Sequence, residues 1–301
     1  MNPKTSLAIS CATLACTASL SASELTYAPL QAGYLHNFST DIDGGGSASK
    51  GVFQLKAGVP ILLEDDLTIA LTSSFRLSSY DFSGGSAGSF AALDPWDDIH
   101  AYKLGAYINW TFKEDWTLLA TPNVSSKAES GASLSDSLQA GAIIGLSYKV
   151  SDKLTIGSGF GYKSQIEESS SFYPILIIDW EINDTLSLTT SPTAGATPGP
   201  SIALRWDISD ESRFSLGMSY DSNRFRLDKD NAAAARGVGE DSGIPVYGVY
   251  TFKSSENTQT SIIAGVRLGG ELRLEDKSGN KLVERDSDAA PFVGINVGYT
   301  F

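Results

Sequence analysis

Pro291-Phe292-Val293-Gly294-Ile295-Asn296-Val297-Gly298-Tyr299-Thr300-Phe301 alternates from its first residue to its last. In an extended strand successive side chains point to opposite sides. Pro291, Val293, Ile295, Val297, Tyr299 and Phe301 therefore share one apolar face. Phe292, Gly294, Asn296, Gly298 and Thr300 share the other, which is mostly small or polar. Such a strand suits a wall with hydrocarbon on one side and a polar interior on the other.

The remainder of the chain fits the same wall. Mean hydropathy is −0.07, and beyond residue 23 no apolar stretch is long enough for a membrane helix. The longest notable apolar run is Ile175-Leu176-Ile177-Ile178. A membrane barrel has this profile because lipid-facing and lumen-facing residues average out along each strand. The 29 glycines also favour strands over helices. A soluble β-sandwich shares this composition but explains neither the C-terminal alternation nor a repeated turn.

That turn occurs six times, as a short acidic or polar break between two apolar runs. The breaks are Glu64-Asp65-Asp66, Glu114-Asp115, Ser151-Asp152-Lys153, Asn183-Asp184-Thr185, Ser209-Asp210-Glu211 and Ser254-Ser255-Glu256-Asn257. Asp, Asn and Ser favour tight turns because their side chains bond nearby backbone groups. Longer stretches rich in Gly, Ser and Asp lie between them. Six short turns join twelve strands, and one strand at each end makes about fourteen, an antiparallel up-and-down β-barrel beginning near Tyr27. Twelve is the alternative if residues 186–206, interrupted by Pro192, Pro198 and Pro200, do not span as a hairpin. No block long enough for a plug domain precedes Tyr27.

Residues 1–23 read as a cleavable secretory signal, leaving 24–301 as one barrel domain. The signal has a positive start at Lys4, an apolar stretch over 7–20 and the small residues Ser21-Ala22-Ser23 before Glu24. Thr13-Leu14-Ala15-Cys16 offers a competing lipoprotein reading, with Thr13 where that motif wants Leu. Cys11 and Cys16 are the only cysteines. The exported chain is thus expected to lack thiols, which excludes a disulfide scaffold, thiol catalysis and Cys-based zinc sites.

The C-terminal alternation, with Val297, Tyr299 and a final Phe301, resembles the assembly signal of Gram-negative outer-membrane β-barrels. The resemblance implies an outer-membrane location, contact with outer-membrane lipid and lipopolysaccharide, and recognition of the last strand by the barrel assembly machinery. The whole pattern resembles porin-like barrels, in size the small monomeric fourteen-stranded porins. Asn223-Arg224-Phe225-Arg226-Leu227-Asp228, Gly269-Gly270-Glu271-Leu272-Arg273-Leu274-Glu275-Asp276 and Ala290-Pro291-Phe292-Val293-Gly294 are similar to a group of bacterial barrels of unknown function. A plug is not expected, unlike in fatty-acid transporter barrels.

Charge placement fits a lipid-facing wall. On the apolar parity lie residues such as Phe53, Leu55, Val59, Leu71, Leu104, Trp110, Leu146, Leu176, Trp206 and Ile262. On the opposite, pore-lining parity fall Lys56, Arg76, Lys103, Lys149, Lys163, Asp179, Glu181, Arg205, Asp207, Asp221, Arg267, Glu271 and Arg273. A Lys or Arg facing the bilayer midplane would cost about 2–4 kcal/mol. Arg224 and Arg226 break parity and are expected high on their strand, at headgroup level. Trp110, Phe112, Trp116, Tyr148, Trp180, Trp206, Phe214 and Phe252 flank the short turns as an interfacial belt would. Gly105, Gly141, Gly145, Gly157, Gly159, Gly161, Gly217 and Gly265 lie on the inward parity and are expected to widen the pore or flatten the barrel.

The net charge is −13, yet most acidic residues lie in loops and turns, and the inner parity carries more basic than acidic residues. This favours a passive pore for small hydrophilic solutes with a slight anion preference. The alternatives are a closed structural or surface-interaction barrel, and an exterior lipid-modifying enzyme. For an enzyme the only histidines are His36 and His100, with Ser79 or Ser126 near His100. Neither supplies a recognisable hydrolase pattern, so no catalytic residue, cofactor or metal is assigned. Asp41-Ile42-Asp43-Gly44 and Asp228-Lys229-Asp230-Asn231 begin like calcium loops but lack the closing Glu. No external basic patch supports nucleic-acid binding.

Overall fold

The computed structural model describes residues 30–190 and 199–300. The proposed signal, Phe301, Pro192 and Pro198 lie outside these residues. Seventeen strand segments run in sequence: β1 (Leu30–Asp41), β2 (Ser47–Leu63), β3 (Leu67–Ser83), β4 (Asp98–Lys113), β5 (Trp116–Ala120), β6 (Asn123–Glu129), β7 (Leu138–Ser151), β8 (Leu154–Gln165) and β9 (Glu168–Asn183). There follow β10 (Leu186–Thr189), β11 (Ser201–Ser209), β12 (Ser212–Ser219), β13 (Asp221–Arg226), β14 (Val238–Ser255), β15 (Thr258–Glu275), β16 (Lys281–Ser287) and β17 (Ala290–Tyr299). Three pairs are single staves with a break. β5 and β6 share the neighbours β4 and β7, β12 and β13 share β14, and β16 and β17 share β15. The result is a closed antiparallel barrel of fourteen staves.

Closure comes from the C-terminal alternating stretch. β17 pairs with β1 from Leu30 opposite Tyr299 to Asn37 opposite Phe292, and with β15 on its other side. Closing the sheet leaves no open edge, the condition for a β-structure in lipid. All six short turns fall between the strands they were expected to join. The hairpin of β10 and β11 is present and pairs with both neighbours, so the count is fourteen and not twelve.

The outer face is apolar and exposed. Pro291, Val293, Ile295, Val297 and Tyr299 all point outward, as do Leu55, Val59, Leu71, Leu104, Leu146, Leu176, Trp206 and Ile262. Near the short turns, Trp116 and Tyr148 lie 4.9 Å apart and Trp110 and Phe112 5.4 Å apart. Their amphipathic rings suit a membrane–water boundary.

The staves are unequal. β2 and β3 have 17 residues and β14 and β15 have 18, whereas β8 has 12 and β11 only 9. About ten residues suffice to cross the hydrocarbon, so the tall staves continue past it at the long-loop end. There β13 leaves the cylinder and reaches the opposite rim, where Arg226 pairs with Ala128 of β6 in a parallel bridge. At this level β13, β14, β15, β16, β1, β2, β3, β4 and β6 form a second, narrower ring, with Ile42 bridging to Ser287 between β1 and β16.

This upper ring has an apolar core. The loop after β3 folds inward and delivers Phe90 and Trp96, whose ring centroids stand 5.5 Å apart. Trp96 also meets Phe225 at 5.2 Å, Phe82 at 5.5 Å and Tyr80 at 5.9 Å. Leu272 and Leu274 of β15 join the same cluster. They face inward because β15 carries a bulge: Ser242 and Ile244 of β14 are matched by Glu271 and Leu268. The extra residue is accommodated where Gly269 adopts φ +55, a conformation that costs glycine little. The bulge corrects the sequence parity: Glu271 and Arg273 turn outward, away from the lumen.

Candidate functional site: the inner wall and the mouth

Cations gather on the inner wall between β2 and β8. Lys56 lies opposite Ser74, and Ser74 opposite Lys103, along one hydrogen-bonded tier. On the next tier Arg76 lies opposite Ala101, and Ala101 opposite Lys127. Lys163 of β8 faces the same space, across Gly141 of β7. Lys127 feels the charges of Lys163, Arg76 and Lys103, and of one carboxylate, Asp221. Among the described residues, no carboxylate comes within ion-pair distance of Lys103, Lys127 or Lys163.

On the other side of the lumen the charges are matched. Arg213 Nε stands 2.5 Å from Asp207, and Asp179 and Asp207 both act on Arg205. Glu181 lies opposite Ser187 on the same inner parity. Lys149 sits at the short-turn rim, 2.8 Å from Asp152. Arg267 does not line an open passage, because it is buried with its Nη2 2.5 Å from Asp241. Asp241 also receives Lys50 Nζ at 2.6 Å and the Tyr80 hydroxyl at 2.7 Å. This buried node ties β2 and β3 to β14 and β15 beneath the aromatic cluster.

Of the residues that parity places on the pore-lining face, the structure sorts nine into distinct settings. Lys56, Arg76, Lys103 and Lys163 gather in the basic region. Asp179 and Arg205 belong to the matched side, Lys149 to the rim, and Arg267 to the buried node. Glu271 faces out of the upper ring. Parity missed Lys127, because Pro122 interrupts its stave and leaves no long alternating run.

Arg224 and Arg226 lie high on their stave, as expected, but their guanidinium groups are buried in the mouth rather than presented to headgroups. Arg224 is 1% exposed. Its Nη2 lies 2.5 Å from Glu275, its Nη1 3.1 Å from Glu240, and its Nε donates to the Ile166 carbonyl at 2.9 Å. Arg226 Nη2 lies 2.5 Å from Glu167, and its Nε donates to the Asp136 carbonyl at 3.2 Å. Buried guanidinium groups need such carboxylates and carbonyls to offset lost hydration.

Four of the inward glycines, Gly145, Gly161, Gly217 and Gly265, seat large side chains rather than widening the lumen. A Cβ on Gly161 would lie 2.2 Å from the Tyr173 ring, and one on Gly145 2.7 Å from Ile177 Cδ1. Gly217 similarly faces the Tyr247 ring.

The remaining chemical candidates have other surroundings. His36 packs on Phe38 at 5.0 Å and His100 on Phe75 at 6.1 Å. Ser126 shares a 2.6 Å hydrogen bond with Ser137, not with His100. The Asp228 loop docks: Asp228 N donates to Glu129 at 2.7 Å, and Asn231 Nδ2 donates to the Pro95 carbonyl at 2.9 Å. No group of three or more His, Cys, Asp or Glu side chains gathers as a metal site among the described residues.

No family model matches the sequence, and no curated protein matches it. Among solved structures the chain is similar to an outer-membrane channel from Pseudomonas putida F1, with TM-score 0.50 and 11% identity over 91% of this chain and 97% of that one. A Pseudomonas aeruginosa FadL homologue aligns at TM-score 0.49 and 11% identity, over 90% of each chain. The NanC porin aligns at TM-score 0.39 and 9% identity, over 90% of this chain and 100% of that one. At such identities the likeness is one of fold, the fold of outer-membrane β-barrels.

Proposed function

We propose that this barrel is a passive outer-membrane pore for small hydrophilic solutes, with a preference for anions. The observation that supports it is the basic region on β2 to β8, where Lys103, Lys127 and Lys163 face the lumen with no carboxylate in ion-pair contact. Asp221 acts on Lys127 and Lys163, and Glu240 on Lys163, only from further off. An inner wall with more basic than acidic side chains lowers the barrier to anions and raises it for cations. The matched charges around Arg205 and Arg213 serve instead to hold the wall opposite.

A second reading, a closed structural or surface-interaction barrel, draws support from the apolar core of the upper ring. Planar-bilayer recording of the purified protein separates the two. Steady ionic steps should appear, with a reversal potential in a salt gradient displaced toward the anion. Lys103→Glu and Lys127→Glu should each move it toward the cation. A silent bilayer, or a cation preference in the unaltered protein, would sink the anion-pore reading.

A further inference from the structure

We propose that the upper end of β13 to β16 is a hinged flap, clasped to the opposite rim, that gates the barrel. This rests on the pore reading and assigns its regulation. Two independent features support it.

The first is a crease. Three of four adjacent staves are broken or bulged at one level, and the fourth, β14, meets them there with a shifted ladder. The β12–β13 stave breaks at Tyr220, and Asp221 just beyond it lies opposite Gly243 of β14. The ladder of β14 with β15 shifts between Ser242 and Ile244, beside Gly269 with φ +55. Gly270 lies opposite Ser287, after which the β16–β17 stave breaks. Bulges and left-handed glycines bend strands. Aligned across four neighbours, they allow the sheet beyond them to fold as a unit.

The second is the chemistry of the seam where the flap meets the other rim. One edge of β13 is fully paired to β14, while the other carries only the single bridge of Arg226 to Ala128. Around that bridge the ties are polar: Arg226 to Glu167 and to the Asp136 carbonyl, Arg224 to the Ile166 carbonyl, and Asp228 N to Glu129. The aromatic core lies on the inner face of the flap, where Trp96 meets Phe225. A few side-chain bonds and one backbone bridge hold this seam, so fewer backbone bonds must part here than along a continuous β-ladder. The clasp is therefore one of two single-bridge lines in the upper ring, the other being Ile42 to Ser287, and its release lets the flap swing back above β12.

A cysteine pair tests this in the full-length protein, with Cys11 and Cys16 changed to Ser. Ala128→Cys with Arg226→Cys removes the ionic tie and offers a covalent one at the bridge itself. In the bilayer the reduced form should spend roughly tenfold longer open than the unaltered protein, a shift of about one decade in a two-state equilibrium. Oxidation should return it to the closed level. Glu167→Gln, which leaves the backbone bridge intact, should raise open time in the same direction. Currents that ignore both the disulfide and Glu167→Gln would overturn the clasp while leaving the pore. Silence in every form, with amide exchange in β13 faster after reduction, would overturn the pore reading and the gating role together.

Discussion

Gly159 and Gly161 stand two residues apart on β8, on the same inner face, yet a methyl group at each would meet different obstacles. At Gly159 it would lie 2.1 Å from the Ile144 carbonyl oxygen and 2.6 Å from the Gly145 Cα, both backbone. At Gly161 it would meet the far end of the Tyr173 ring, which can rotate away. Gly159→Ala should therefore cost about 1–3 kcal/mol, the usual penalty of overpacking, and Gly161→Ala distinctly less. Urea unfolding in lipid vesicles measures both, and the reverse ranking would refute the assignment. Tyr173→Ala should abolish the remaining cost at Gly161. Asp97, in the loop outside the wall, illustrates charge in the same way. Partial desolvation, then Asp98, Asp94 and Asp81, hold its carboxyl above the usual carboxylate range. A raised acid stabilises the folded form below its ordinary range, and that contribution fades as pH rises through the raised value. Asp97→Asn should thus make the loop over 84–97 more protease-resistant at neutral pH. At acid pH the two proteins should be cut alike, and a difference confined to acid would contradict this sign.

Among the elements, the short turns were fully legible in the sequence because their causes are local. Asp, Asn and Ser supply their own backbone hydrogen bonds, as Asn183 does in accepting from Thr185 N and Leu186 N. Parity was legible wherever a stave ran unbroken, as in β17. It failed at breaks. β15 changes face at its bulge, so the outward positions of Glu271 and Arg273 were invisible to simple alternation. Removing that extra residue tests the explanation. Deletion of Gly269 should restore alternation, turning Glu271 and Arg273 inward and Leu272 and Leu274 out of the aromatic cluster. Near-UV dichroism from the packed rings should fall while far-UV strand content holds. A deletion variant with unchanged near-UV signal would show that the bulge does not set the face. Arg224 and Arg226 were beyond sequence reasoning for a different reason. Their cross-mouth partners lie 58 to 90 residues away, at Ile166, Glu167 and Asp136, and no periodicity records a contact made by bending one wall onto another.

At the scale of the whole molecule, two closed rings share staves but draw stability from different sources. The fourteen-stave wall exposes Leu, Ile, Val and Trp outward, and lipid supplies the apolar surroundings that favour its closed hydrogen-bonded ladder. The upper ring stands beyond the hydrocarbon and depends on its own core, in which Trp96 is 1% and Phe225 0% exposed. Unfolding should accordingly proceed in two steps, upper ring first. Trp96→Ala removes the indole that four other aromatic rings contact, and truncations of this kind cost about 3–5 kcal/mol. That loss falls on the upper ring alone if the rings are energetically separate. The variant should lose near-UV dichroism and expose the loop over 84–97 to protease, while keeping the heat-modifiable gel mobility of a closed barrel. Trp96→Phe should be far milder, because it keeps a ring in place and removes an indole N–H that is buried without a partner. If Trp96→Ala abolished heat modifiability together with the near-UV signal, the two rings would be one cooperative unit. The flap could then not open without dismantling the wall that carries it.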